Sequence, residues 1–238
     1  MAGRLMLILG ISTSTAQVGC AIGGHEGILA SVHSTRGRRH AETLAPAVEF
    51  LCRQARVELT DLGAIAVDVG PGMFTGLRVG VAAAKALSYA RRLPMVGVPS
   101  LDLIAFPLRH SRRRIVCAID AGRGELFAAS YRQVPGGIQR MSEPEVASPA
   151  DLASDLQATN EEILLVGDGA VRHRSAFAGH TRIELADPGM AYPHAGSLVQ
   201  LAHARAMRED FVGPGEAAPM YLRKPDAEIN WTTRDSKV

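Results

Sequence analysis

An apolar strand, a short polar turn and a second apolar strand occur twice in this chain, and that repetition restricts the folds open to it. Residues 5–22 read LMLILGISTSTAQVGCAI and residues 114–131 read RIVCAIDAGRGELFAASY. In each, a run of strand length ends in small and polar residues that turn the chain. The first half continues with VGCAIG and GILASVHS, two strands separated by the turn GGHEG. The period then changes. From about Ala41 to Arg56, Leu44, Val48, Leu51 and Ala55 fall at helical spacing, with Glu42, Glu49, Arg53 and Arg56 on a polar face. Pro46 requires that helix to begin close before it or to bend there. GAIAVDVG is a buried-strand candidate, GPGMFTG opens a helix running to about Arg92, PMVGVPS suggests a strand, and a short helix follows around Leu101 to Phe106. In the second half a third strand falls near Ile138 and a helix near Asp151 to Leu156. The strand ILLVGDG and a helix from about Pro193 to Met207 come after them.

Alternating strands and helices imply a mixed sheet covered by helices. Taken twice, the order is a duplicated βββαβα unit. That is the layout of the actin, hexokinase and Hsp70 superfamily, the actin-like ATPase (ASKHA) fold, in which nucleotide sits between two lobes. The analogy concerns fold and does not by itself fix a function. The expected lobes are residues 1–108 and 109–222, followed by a loose tail at 223–238. Trp231, the single tryptophan, lies in that tail and reads as a surface aromatic.

A chain of 238 residues can build two lobes of about a hundred residues each. Its 47% apolar content supports a core. A net charge of +2 is too small to imply nucleic-acid binding by charge alone. The cluster Arg109, His110, Arg112, Arg113 and Arg114 reads as a solvated loop before a strand. Cys20, Cys52 and Cys117 are odd in number and lack metal-like spacing, which argues for a reducing cytosol and against a disulfide framework. Arg4 with LMLILGI, followed by Cys20, faintly resembles a lipoprotein signal, but a buried first strand explains the stretch better. No run approaches the roughly 18 apolar residues of a membrane span, and the expected location is the cytoplasm.

The most informative stretch is DVGPGMFTGLRVGVAAAKALSYA, Asp68 to Ala90. A Gly-rich turn entering a helix exposes N–H groups where the dipole favours an anion, or simply makes a tight connection. Gly76, Gly80 and Ala84 recur at steps of four, so something approaches that helix closely: the protein's own sheet, or a helix of another subunit. Ser12, Thr13 and Ser14 are candidates to cradle a phosphate, with Asp120 at the corresponding place in the second half. Gly167-Asp168-Gly169 either contacts a nucleoside or turns the chain. The eight histidines form no HxxxH pair, and neither a G-x-S-x-G elbow nor a P-loop lysine pattern occurs.

Several of these stretches resemble the TsaB family, also called YeaZ. ILGISTSTAQVGCAI is similar to the family's opening strand pair and RRHAETLAP to its first helix start. GPGMFTGLRVGVAAAKALS is close to a signature, CAIDAGRGELFAASY resembles the second-lobe opening, and YPHAGSLVQLA and MYLRKP resemble later pieces. In the catalytic paralogue, TsaD, the strand after the Gly-Pro-Gly helix leads into a metal-binding HxxxH. Those positions fall here at Ser100 and Ile104, which cannot replace imidazole ligands. Family members commonly carry Asp where this chain has Ser12.

The resemblance therefore implies a non-catalytic subunit that binds and activates a TsaD-type threonylcarbamoyltransferase acting on tRNA adenosine. A TsaE-type ATPase completes the assembly, and tRNA is reached through the complex. It implies no metal, no tightly bound cofactor, and at most weak ATP or ADP in the cleft or at the complex interface. The isolated chain is a candidate homodimer. Two alternatives are an ATP-dependent small-molecule kinase of the same superfamily, which needs an acid where Ser12 stands, and a zinc peptidase, which needs the missing histidines. The expected partner surface combines the helices at 41–56 and 75–92, with Gly76, Gly80 and Ala84 admitting an opposing helix and Phe50 as an anchor.

Overall fold

The computed structural model describes residues 6–35 and 39–223. Trp231, Arg38 and the expected tail beyond Arg223 lie outside those residues. The first lobe is built from β1 (Leu7–Ser12), β2 (Val18–Gly24), β3 (Gly27–Ser34), α1 (His40–Ala55), β4 (Leu62–Gly70), α2 (Phe74–Arg91), β5 (Met95–Pro99) and α3 (Ser100–Ala105). The second holds β6 (Arg114–Gly122), β7 (Glu125–Val134), β8 (Gly137–Arg140), β9 (Glu145–Ala147), α4 (Pro149–Ala158), β10 (Ile163–Val166), α5 (Asp168–Arg172), α6 (Arg174–Phe177), β11 (Ile183–Leu185) and α7 (Ala195–Ala206).

The two sheets share one topology. The first runs β3-β2-β1-β4-β5 and the second, read in the same sense, β8-β7-β6-β10-β11, with β9 added beside β7. In both, the first three strands are antiparallel and the last two run parallel to the first. This is the duplicated βββαβα layout.

The period of two along each strand divides the core. On one face of the first sheet Leu9, Ile11, Cys20, Ile22, Ile65 and Val67 pack against Leu44 and Leu51 of α1 and Val81 of α2. On the other, Ile8, Ala21, Ala64, Ala66, Val96 and Val98 meet Leu198, Val199 and Ala202 of α7. The expected second lobe at 109–222 is corrected here. Its last helix, α7, returns to the first sheet, because small residues on that face leave room for a helix at close range. A Cβ at Gly10 would lie 3.0 Å from Val199. Conversely, Leu101, Ile104 and Ala105 of α3 pack into the second lobe's core with Ile115, Ile119 and Phe127. Pro46 sits inside α1, one and a half turns from its start, and the helix runs through it.

Candidate functional site: a closed first turn and an apolar helical groove

The β1–β2 turn is clamped from four directions. Asp68 of β4, 2% exposed, reaches under it and accepts four hydrogen bonds. Ser12 donates to Oδ2 at 2.8 Å, and the Ser14 hydroxyl donates to the same oxygen. Gly70 N–H donates to Oδ1 at 3.0 Å, and so does the hydroxyl of Ser100, the first residue of α3. A carboxylate offers about four lone-pair sites, and all four are used. Burial pushes the Asp68 carboxyl above its ordinary value, and the four donors oppose that rise.

The helices close the turn from the outside. The Thr13 hydroxyl donates to Gly76 O at 2.7 Å, Met73 N–H donates to Ser14 O at 2.6 Å, and His40 Nε2, at the start of α1, lies 2.8 Å from Thr15 O. Nothing larger than hydrogen fits between α2 and this turn. A Cβ at Gly72 would lie 2.1 Å from Ser14 O, one at Gly76 2.1 Å from Thr13 O, and one at Gly80 2.2 Å from Thr13 Oγ1.

Two sets of expected site residues are thereby corrected. The hydroxyls of Ser12, Thr13 and Ser14 do not line an open phosphate cradle. They are at most 1% exposed and donate to Asp68 and Gly76. Gly76, Gly80 and Ala84 do not face a partner. They are buried, the two glycines against the chain's own first turn and Ala84 in the core beneath α2. Ser100 and Ile104, at the positions of the paralogue's metal ligands, serve the Asp68 cluster and the second lobe's core. Asp68 itself carried a usable signal: one acid in an otherwise apolar strand must find buried partners.

The second-lobe turn is built differently. Asp120 Oδ2 accepts from Arg172 Nη1 at 2.5 Å, Oδ1 accepts from Gly122 N–H at 3.1 Å, and His173 Nε2 stands 3.9 Å from Oδ1. The Asp120 N–H donates to Asp168 Oδ1 at 3.2 Å. Burial, with a smaller contribution from the Asp120 charge, pushes Asp168 up to about 6. Gly167 and Gly169 turn the chain tightly over β6; a Cβ at Gly167, where φ is +117°, would lie 2.1 Å from Ala118 O. Among the described residues no group of three His, Cys, Asp or Glu side chains is placed to hold a metal ion, and no helix is long and apolar enough to cross a membrane.

A broad concavity lies on the outer side of α1 and α2. It is a groove of about 1130 Å³ lined by Leu44, Val48 and Cys52 of α1 and Val79, Ala83 and Leu87 of α2, with Glu49 and Arg53 among its polar residues. The helices are those expected for a partner surface, but the face is turned by roughly one residue from the glycine stripe. Phe50, 42% exposed, stands beside Arg53, whose guanidinium lies 6.0 Å from its ring centre.

Fold and site together define an actin-like protein whose β1–β2 turn is closed by its own carboxylate and whose two leading helices present an apolar groove. The family model described as TsaD, tRNA N6-adenosine threonylcarbamoyltransferase, matches residues 27–231. The tRNA threonylcarbamoyladenosine biosynthesis protein TsaB of Escherichia coli is 29% identical over 92% of this chain and 95% of its own length. The crystal structure of YeaZ from Pseudomonas aeruginosa superimposes with a TM-score of 0.77 at 26% identity, covering 92% of this chain and all of that one. Component A of the Acidaminococcus fermentans (R)-2-hydroxyglutaryl-CoA dehydratase, at 11% identity and a TM-score of 0.50, shares the fold alone. The chain belongs to the TsaB (YeaZ) family of tRNA threonylcarbamoyladenosine biosynthesis proteins.

Proposed function

We propose that the chain is a docking subunit that binds and activates a TsaD-type catalytic subunit through the α1–α2 groove and performs no chemistry itself. The groove is the observation that carries this reading. Leu44, Val48, Cys52, Val79, Ala83 and Leu87 form a continuous apolar lining beside exposed Ala41, Ala45 and Ala86, and a concave apolar face of this size favours an apolar helix from a partner. Arg53 in the lining, with exposed Phe50 beside it on α1, is suited to anchor that partner.

Support for the non-catalytic part comes from the first turn. A phosphate there would have to displace Asp68 from Ser12, Ser14 and Ser100, and would meet a buried carboxyl as neighbour. The same feature disfavours the small-molecule kinase reading, and Ser100 with Ile104 disfavours the zinc peptidase. In this reading nucleotide is at most weakly held by the isolated chain, and a TsaE-type ATPase and tRNA are reached through the catalytic subunit. The groove would also serve a second copy of this chain when the partner is absent.

Ala86→Arg places a charge in the groove at an exposed position outside the core cluster. It is expected to weaken binding to the TsaD-type subunit by about 30-fold or more in calorimetry, with the melting temperature unchanged. Native affinity in that variant would refute the assignment.

A further inference from the structure

Four consecutive residues near the end of the described chain bind one lobe with their first half and the other lobe with their second. Met220 N–H donates to Val69 O at 2.6 Å, at the end of β4. The Tyr221 ring lies 5.1 Å from that of Phe74, at the first turn of α2, and its hydroxyl accepts from Arg78 Nε at 3.3 Å. The Arg78 guanidinium in turn covers the Phe74 ring at 3.8 Å. At Leu222 the chain changes lobes. Leu222 packs against the second-lobe cluster that holds Ile115, Ile119 and Phe127. Arg223 reaches the β6–β7 turn, donating from Nη1 to Glu125 Oε2 at 2.6 Å and from Nη2 to Ala121 O at 3.0 Å.

We propose that residues 220–223 are a clasp that fixes the angle between the lobes without any ligand in the cleft. Clefts between lobes are where ligands ordinarily bind, and a bound ligand draws the two sides together. Here the chain's own peptide spans from the end of β4 to the β6–β7 turn. Each half of the clasp is held by a different kind of contact: a backbone hydrogen bond and an aromatic–cation stack on the first lobe, an apolar side chain and a charge-assisted hydrogen bond on the second. Loss of either half leaves the other attached to its lobe, so release frees the lobes without unfolding them. Other links are α3, whose Asp102 accepts from the Tyr131 hydroxyl at 2.8 Å across the lobe boundary, and the segment from β11 to α7, which returns to the first sheet. The proposal stands apart from the docking reading, since none of its residues lines the groove.

The test is a spin-label distance between the lobes. Labels at Gln54→Cys on α1 and Asp155→Cys on α4, both exposed sites, are introduced in a Cys52→Ser background, since Cys20 and Cys117 are buried. Labelled protein is diluted into an excess of unlabelled chain to remove intermolecular distances. The parent should give one narrow distribution. Tyr221→Ala with Arg223→Ala should broaden it and move it to a new mean, while circular dichroism stays unchanged. Arg223→Gln, which keeps the apolar contacts, should give an intermediate broadening and serves as the test if the double variant does not fold. A distribution as narrow and at the same mean in the folded variants would overturn the clasp.

Discussion

The β1–β2 and β6–β7 turns occupy equivalent places in equivalent sheets, yet their chemistry is opposite. The first, Ser12 to Thr15, is buried, and its seryl hydroxyls are consumed by one carboxylate that it shares with Ser100 and Gly70. The second, around Asp120, is partly exposed and held by an ion pair with Arg172, which is itself largely in solvent. Duplication of a fold unit therefore transmits position and not function. One copy has become a packing joint onto which α2 closes, while the other carries an acid, Asp168, whose carboxyl burial raises above its ordinary value. A buried network costs stability when any member is removed, whereas an exposed pair costs little.

The largest effect is expected at the joint itself. Gly76→Leu would force a side chain into Thr13 O, 2.1 Å from the new Cβ, and should cost about 3 kcal/mol or more in denaturant unfolding of the isolated chain. Normal stability in that variant would mean that α2 does not rest on the turn. Asp68→Ala comes next. It strands Gly70 N–H and three hydroxyls, which can only partly re-pair among themselves, for a loss of roughly 2 kcal/mol. A variant as stable as its parent would show that the cluster is not what holds the turn.

The smallest effect belongs to the second turn and has the opposite sign. Asp168 is held at about 6 in the fold, above the ordinary carboxylate value of 3.8. A raised folded value favours the folded state while the group is protonated, and that contribution is lost as pH rises through about 6. Asp168→Asn cannot ionise and keeps an oxygen to accept the Asp120 N–H. It should therefore raise the melting temperature at about pH 7.5, by the equivalent of roughly 1–2 kcal/mol, and change it little near pH 4. An equal shift at both pH values would remove the ionisation argument.

Much of this architecture is legible in the amino-acid order. Strand-length apolar runs mark β1 to β7 and β10, and the helical period marks α1, α2 and α7, because each follows from local pattern. The three-residue strands β9 and β11 and the short helices α5 and α6 carry too few residues to show a period. The return of α7 to the first sheet is also hidden, since its apolar stripe would suit either lobe. At the site the limit is of another kind. Glycines at steps of four announce a close approach to α2 but do not say by what, and the answer, Thr13, lies more than sixty residues earlier. Asp68 announces a need for partners, but Ser12, Ser14 and Ser100 come from segments that only the folded sheet brings together. The groove escaped for the complementary reason: Val79, Ala83 and Leu87 would suit a core equally well, and only the folded chain shows that Gly76, Leu77, Gly80, Val81 and Ala84 take the inner face of α2.

The outer face of α1 and α2 is proposed to receive the catalytic partner, and Cys52 reports on it directly. It lines the groove and is partly exposed, whereas Cys20 and Cys117 are buried. Burial raises its thiol above the ordinary value, so alkylation is best followed at mildly alkaline pH. The rate of Cys52 alkylation should fall steeply when a saturating TsaD-type subunit is added and recover when Ala86→Arg prevents binding. An unchanged rate in a complex shown by gel filtration to have formed would place the partner elsewhere on the molecule.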